Sequence, residues 1–171
     1  MFNPSKSKCL DIGPHLSLDP VNLKIGNLDL SWSDTLEYLG ITIATGKTFN
    51  VDFTHVRRKF FASVNSILSK CTFTSDLVKL SLLESHSLPI LLYAVESLNL
   101  SAAQLTELNS WWNSVYRKIF NFNKWESVKL LIALLGRLDF VHICNLKMMN
   151  FIRTMKINNT DCSSPFHYYM Q

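Results

Sequence analysis

The hydrophobic period of this chain changes near Phe53, and this change limits the folds that the chain can adopt. Before Phe53, short apolar runs nearly alternate with polar residues and are separated by turn-forming residues, which is typical of strands. After it, apolar residues recur at the spacing of one helix face. The first such stripe consists of Val56, Phe60, Val64, Ile67 and Leu68. The pattern predicts an α+β, mostly α fold, with a small N-terminal antiparallel β meander or hairpin followed by a helical bundle.

The predicted strand region centres on the stretch 34–43. Its apolar residues come close to strict alternation: Leu36, Tyr38, Ile41 and Ile43. This predicts a strand that Gly40 interrupts, either at a bulge or where another backbone comes close. Upstream, the runs 23–25 and 28–32 flank the turn Gly26-Asn27 and predict a hairpin.

Local signals mark the first two predicted helices. Thr54 is the expected N-cap of the first. The second starts near Ser75-Asp76 and bends near Ser87, because Pro89 cannot sit inside a helix without a kink or a break. We expect it to continue to about Ser97. Its predicted apolar side consists of Leu77, Leu80, Leu83 and Leu88.

Three further helices are predicted downstream. One begins at Ser101, with Gln104 at the capping-box spacing. We expect its aromatic rings to lie mostly in the core: Trp111, Trp112 and Tyr116. Another runs over 126–135 and ends at Gly136, and the last runs over 140–156.

These patterns divide the chain into a strand-rich segment 1–50, a helical segment 51–157 and a flexible tail 158–171. Apolar residues make up 47% of the chain, which is enough for a core and excludes wholesale disorder. The formal net charge of +4 permits nucleic-acid binding without requiring it.

Several kinds of catalytic or metal site are excluded by spacing. Gly46-Lys47-Thr48 resembles the end of a P-loop, but Ile41 occupies the position where that motif needs glycine. His142 and Cys144 are two residues apart, so a helix would direct them to different faces. Asp and Glu occur singly, which argues against an independent two-metal nuclease or polymerase site. We expect no metal or other cofactor bound by this chain.

The compartment is inferred from what the chain does not show. The N-terminus has no apolar signal segment. The longest apolar run, 88–95, is far shorter than the roughly 20 residues needed to span a bilayer. The four cysteines are far apart and are interpreted as reduced thiols. We therefore expect an intracellular protein, nuclear or cytoplasmic, without a membrane partner.

A cationic run lies near the start of the first predicted helix: Arg57, Arg58 and Lys59. Cations at this end oppose the helix dipole, at a cost of a few tenths of a kcal/mol up to about 1 kcal/mol. The run suggests an anionic partner. The alternative interpretation is a solvated basic face, which the residues alone favour.

Four short segments carry a family resemblance: Asn3–Ser7, Tyr38–Gly40, Leu88–Glu96, and Trp112-Asn113 with Arg117–Phe120. In this order they resemble segments of the reverse transcriptases of non-LTR (LINE-type) retrotransposons. The first is similar to the Asn-x-x-Lys-Thr/Ser segment of that family, the second to its Tyr-Leu-Gly primer grip, the third to its Pro-x-x-x-Tyr-Gly/Ala-x-Glu helix, and the fourth to the region after the primer grip.

The resemblance implies that residues 1–50 are the edge of a polymerase palm with a primer-grip hairpin, and that residues 51–157 are thumb-like. Lys6 would lie near the incoming nucleotide as a candidate general acid for the leaving pyrophosphate. The hairpin would hold the primer 3′ end through Tyr38, Leu39 and Gly40. The thumb helices would lie along the duplex; the candidate phosphate contacts, our own inference, are Arg57, Arg58 and Lys59.

The catalytic aspartates of that family, including the Tyr/Phe-x-Asp-Asp segment, lie upstream of the position that matches Asn3. We therefore expect a fragment of an RNA-directed DNA polymerase that binds an RNA/DNA primer-template duplex but is inactive alone. The missing palm and fingers would be its partner, and Mg²⁺ would belong to the intact enzyme. The alternatives are a non-catalytic helical module that binds nucleic acid or protein, as a domesticated remnant, and a relic without a selected role.

Overall fold

The computed structural model describes residues 7–14, 21–26, 28–93, 95, 98 and 100–157. In these residues short strands precede a series of helices, which confirms the predicted α+β, mostly α fold. The chain divides into two compact units, Met1–Arg58 and Lys59–Gln171. The predicted site residue Lys6 and the predicted tail 158–171 lie outside the described residues.

The described part of the first unit contains seven short strands: β1 (Lys8–Cys9), β2 (Lys24–Ile25), β3 (Leu28–Asp29), β4 (Ser31–Trp32), β5 (Thr35–Tyr38), β6 (Ile41–Ala44) and β7 (Asn50–Asp52). The predicted hairpin is confirmed, because β2 and β3 pair antiparallel. The strands β5, β6 and β7 form an antiparallel sheet in that order. In contrast to an antiparallel meander, β1 pairs in parallel with β4, through Lys8 opposite Ser31 and Cys9 opposite Trp32.

The interrupted strand that the alternation predicts over 34–43 is wrong, because the chain reverses in its middle and forms a hairpin at Tyr38–Gly40, where the resemblance implies one. Leu39 has a φ of 49° and Gly40 a φ of 76°. Positive φ at both central residues is what a type I′ hairpin turn requires. Tyr38 accordingly lies opposite Ile41, the first residue of the next strand. Gly40 is thus part of a tight turn and not of a bulge.

Six helices follow in the described residues: α1 (Thr54–Lys70), α2 (Asp76–His86), α3 (Leu88–Leu92), α4 (Ala102–Phe120), α5 (Lys129–Leu134) and α6 (Phe140–Ile157). Two predicted helix starts are confirmed. The Ser75 hydroxyl accepts a hydrogen bond from the Val78 N–H at 3.4 Å. Ser101 and Gln104 form the full capping box, with the Gln104 N–H donating to Ser101 Oγ at 3.3 Å and the Ser101 N–H donating to Gln104 Oε1 at 2.9 Å.

The break before Pro89 is confirmed, but the helix that follows is shorter than predicted. The chain leaves α2 at Ser87, and Pro89 lies in the first turn of α3. This helix ends at Leu92 and not near Ser97, because Tyr93 adopts an extended backbone (φ −61°, ψ 124°). Leu77 is also misassigned to the apolar side of α2, since its side chain is 58% exposed.

Helix α5 starts later than predicted and ends at Leu134, one residue before the predicted end. It begins at Lys129 and not at Glu126. At its other end Gly136 adopts a left-handed conformation, with a φ of 65°. The Arg137 N–H donates to the Ile132 carbonyl at 3.0 Å, which is the closing hydrogen bond of a Schellman motif.

The core of the helical unit is built around aromatic rings, as predicted. Trp112, Tyr116 and Phe60 are fully buried. The ring centroids of Trp112 and Tyr116 lie 5.7 Å apart at an interplanar angle of 87°, and those of Phe60 and Trp112 lie 6.4 Å apart. Edge-to-face packing of this kind adds stability beyond the burial of apolar area. The contact between Phe60 and Trp112 joins α1 to α4.

Candidate nucleic-acid interface

The turn between β5 and β6 exposes two large side chains. Tyr38 is 63% exposed and Leu39 is 70% exposed. A left-handed conformation costs a non-glycine residue about 1–2 kcal/mol, and Leu39 adopts it. Strained residues of this kind cluster at functional sites. The turn is therefore a candidate contact surface.

The register of the sheet places this turn beside the start of α1. Glu37, Thr42 and Asp52 lie in one row across β5, β6 and β7. Strands β5 and β7 run in the same direction. Tyr38 comes directly after Glu37 and Phe53 directly after Asp52, so both lie toward the same end of the sheet. Neighbouring strands are about 4.8 Å apart, and β6 lies between β5 and β7. The backbone at Tyr38 is therefore about 10 Å from the backbone at Phe53.

The start of α1 is fixed by Asp52, a residue that the sequence analysis missed. Asp52 Oδ1 accepts hydrogen bonds from the Thr54 N–H at 2.9 Å and from the Thr54 hydroxyl at 2.6 Å. These hydrogen bonds lower the pKa of Asp52. Thr54 is thus the first helical residue and not the N-cap; the Phe53 carbonyl accepts the first helical hydrogen bond, from the Arg57 N–H at 2.8 Å. An Asp two residues before Thr54 is the signal that could have revealed this cap.

The cations predicted as phosphate contacts are exposed in the first two turns of α1: Arg57, Arg58 and Lys59. The first turn contains no acidic residue. Consecutive helical residues differ in direction by about 100°, so these side chains spread around the helix instead of sharing one face. The positive end of the helix dipole adds to their charge. This end of the sheet can therefore attract an anion.

The structure brings the predicted site residues into two neighbouring groups. Tyr38, Leu39 and Gly40 form the turn, and Arg57 and Arg58 follow from β7 into α1 within the same compact unit; Lys59 is the first residue of the second unit. In the part of the chain that the structure describes, no three His, Cys, Asp or Glu side chains are placed to hold a metal ion.

None of the described helices combines the length and the apolar character needed to cross a bilayer. The candidate interface is assigned from its own geometry, because comparisons with protein-family models, with curated protein sequences and with solved structures find no match to this chain.

Proposed function

We propose that this chain binds an RNA/DNA primer-template duplex as part of an RNA-directed DNA polymerase of the non-LTR retrotransposon type. One observation carries the proposal: the exposed turn Tyr38–Gly40 and the cationic start of α1 lie at the same end of one sheet. The turn would hold the primer 3′ end through backbone and side-chain contacts to phosphate and sugar, and the cations would contact phosphates of the duplex. The proposal assigns binding, and no chemical step, to these residues.

Electrostatics makes the proposal quantitative. Each phosphate that a protein cation neutralises changes the slope of log affinity against log salt by about −0.9 on a duplex. If Arg57 and Arg58 each contact one phosphate, replacing both should make the slope less steep by about 2. Tyr38 carries no charge, so its loss should lower affinity without changing the slope.

The test measures binding of a fluorescent RNA–DNA hybrid duplex by anisotropy, from about 50 to about 200 mM salt. The variants are Arg57→Gln/Arg58→Gln and Tyr38→Ala. The loop between β6 and β7 offers matched controls at the opposite end of the same sheet, namely Lys47→Gln and Phe49→Ala, the Phe49 side chain being 52% exposed.

We expect the double Arg variant to reduce the salt slope and Tyr38→Ala to reduce affinity several-fold, with both controls close to the unmodified chain. Equal effects of the control and the test variants would show that the end of the sheet holding Tyr38 has no special role. Binding that does not weaken with added salt would exclude phosphate contacts altogether.

The charge distribution favours a second candidate, a non-catalytic helical module that binds nucleic acid. Residues 59–171 contain eleven Lys and Arg against seven Asp and Glu, whereas residues 1–58 contain six of each. The positive excess therefore belongs to the helical unit. Under this alternative, the Arg57→Gln/Arg58→Gln and Tyr38→Ala variants would retain full affinity and the salt slope would respond to cations of residues 59–171.

A further inference from the structure

Trp125 is exposed to an unusual degree for its residue type. Its side chain is 88% exposed, whereas Trp111 and Trp112 in the preceding helix are 7% and 0% exposed. Trp125 lies in the loop between α4 and α5, and the Lys124 Nζ stands 4.9 Å from the centroid of its ring. A large aromatic surface and a cation are therefore presented together to solvent.

The loop holds Lys124 and Trp125 at the centre of a closed β-turn. The Asn123 carbonyl accepts a hydrogen bond from the Glu126 N–H at 3.1 Å. The Glu126 carboxylate in turn accepts the Asn123 N–H at 2.7 Å and the Asn123 side-chain amide at 2.8 Å. Residues 123–126 thus form a reciprocally bonded unit, the 123–126 turn, with Lys124 and Trp125 at its tip.

This turn is also fastened to the end of α4. Arg117 Nε donates to the Glu126 carbonyl at 2.9 Å, and the Arg117 carbonyl accepts from the Phe122 N–H at 3.0 Å. Asn121 ends the helix in a left-handed conformation, with a φ of 55°. These hydrogen bonds hold the backbone that carries the exposed indole. When a ligand packs on the indole, the loop therefore loses little conformational entropy.

We propose that the 123–126 turn binds single-stranded nucleic acid, with Trp125 stacked on an unpaired base and Lys124 and Lys129 in contact with the flanking phosphates. Lys129 is exposed at the first position of α5. Sites for single strands combine aromatic faces with cations. The cores of protein–protein interfaces, in contrast, are depleted in lysine. The site lies outside the hairpin and does not depend on its role.

The test measures affinity for a fluorescent oligothymidylate of about 20 nucleotides and for a blunt duplex. Trp125→Leu keeps an apolar side chain and removes the stacking face, and Trp125→Phe keeps a smaller ring. Phe73→Leu is the matched control, because Phe73 is a fully exposed aromatic residue between α1 and α2. Stacking of one base is worth about 1–3 kcal/mol, so we expect Trp125→Leu to weaken single-strand binding about tenfold.

The remaining variants separate stacking from charge. Trp125→Phe should retain more affinity than Trp125→Leu, and Lys124→Gln should make the salt slope for the single strand less steep by about 0.7. Affinity for the blunt duplex should not change in the Trp125 variants, so this proposal and the one for the hairpin can fail separately.

Two results would overturn the proposal. The first is equal single-strand affinity in Trp125→Leu, Phe73→Leu and the unmodified chain. The second is a concentration-dependent oligomer that Trp125→Leu dissociates without changing single-strand affinity; α5 carries two exposed leucines that could take part in such an interface, Leu130 and Leu134.

Discussion

Glu84 Oε1 lies 3.0 Å from Arg137 Nε, and this ion pair joins α2 to the segment between α5 and α6. The Glu84 side chain is 24% exposed and that of Arg137 is 45% exposed. Burial raises the pKa of Glu84, and the Arg137 guanidinium opposes part of this rise. The buried Tyr116, whose pKa burial raises to about 12, interacts electrostatically with both charges.

Arg137→Met should destabilise the fold more near neutral pH than near pH 4. A carboxyl whose pKa is raised in the folded state contributes stability at low pH and loses it as pH rises through the folded pKa. Without Arg137 the pKa of Glu84 should rise further, which enlarges that loss. Because both side chains are partly exposed, we expect a cost of about 1 kcal/mol near neutral pH. Urea denaturation at the two pH values measures it.

The double variant Glu84→Gln/Arg137→Met is the control for this ion pair, because it removes both charges together. It should be more stable than Arg137→Met near neutral pH, since no uncompensated carboxylate remains. An equal loss of stability by Arg137→Met at both pH values would contradict the electrostatic interpretation and leave only lost packing.

Leu39→Asn should stabilise the hairpin. Asn adopts the left-handed conformation more readily than Leu, and Asn-Gly is a favoured pair for a type I′ turn. We expect a gain of about 0.5–1 kcal/mol, or a rise in Tm of about 1–4 °C. Leu28→Asn makes the same exchange at an exposed leucine without positive φ and should give no gain. A less stable Leu39→Asn variant would show that the Leu39 side chain makes stabilising contacts.

The hydroxyls of Ser63 and Ser87 lie 2.8 Å apart and join α1 to the break between α2 and α3. Ser87 is fully buried. Ser63→Ala should therefore cost about 1–2 kcal/mol, because it leaves a buried hydroxyl without this partner. Replacing both serines by alanine should cost less than the single change. A double-mutant cycle with thermal denaturation tests this, and strictly additive losses would contradict a direct hydrogen bond.

The 123–126 turn should loosen on acidification. Its hydrogen bonds from Asn123 lower the pKa of Glu126. A lowered carboxyl pKa means that the stabilising effect is present above the ordinary value of 4.5 and is lost as pH falls through the folded pKa. The Asn123 amide proton resonance should therefore titrate with a midpoint below 4.5. The Glu126→Gln variant should lack this titration, and a midpoint at or above the ordinary value would contradict the hydrogen bonding described.

Features made by neighbouring residues could be predicted from the sequence. The capping box of Ser101 with Gln104 and the helix end at Gly136 depend on bonds between residues a few positions apart. The parallel pairing of Lys8 with Ser31 has no such local signal. Strand pairing over this distance depends on the rest of the fold, which a hydrophobic pattern does not encode.

The residues of the candidate interface could be predicted from the sequence, but their positions relative to one another could not. Tyr38 and Arg57 could be selected from the sequence, but their common end of the sheet depends on β7, and two of its three residues lie beyond the predicted strand-rich segment 1–50. The alternating pattern did not reveal the hairpin turn, which only the family resemblance implied, because leucine, which occupies position 39, rarely adopts positive φ. The predicted helix started at Glu126, but Glu126 closes a turn through its hydrogen bonds with Asn123, and α5 begins three residues later.

Cys144 is the last buried residue of α6, and none of the side chains from 145 to 157 is buried. Burial raises the pKa of its thiol to about 12, so the reactive thiolate is scarce at neutral pH. Because the Cys144 side chain is buried, alkylating reagents can reach the sulfur only when this part of α6 opens. The modification rate of Cys144, measured without denaturant, thus reports how often this part of α6 opens while the rest of the helical unit stays folded.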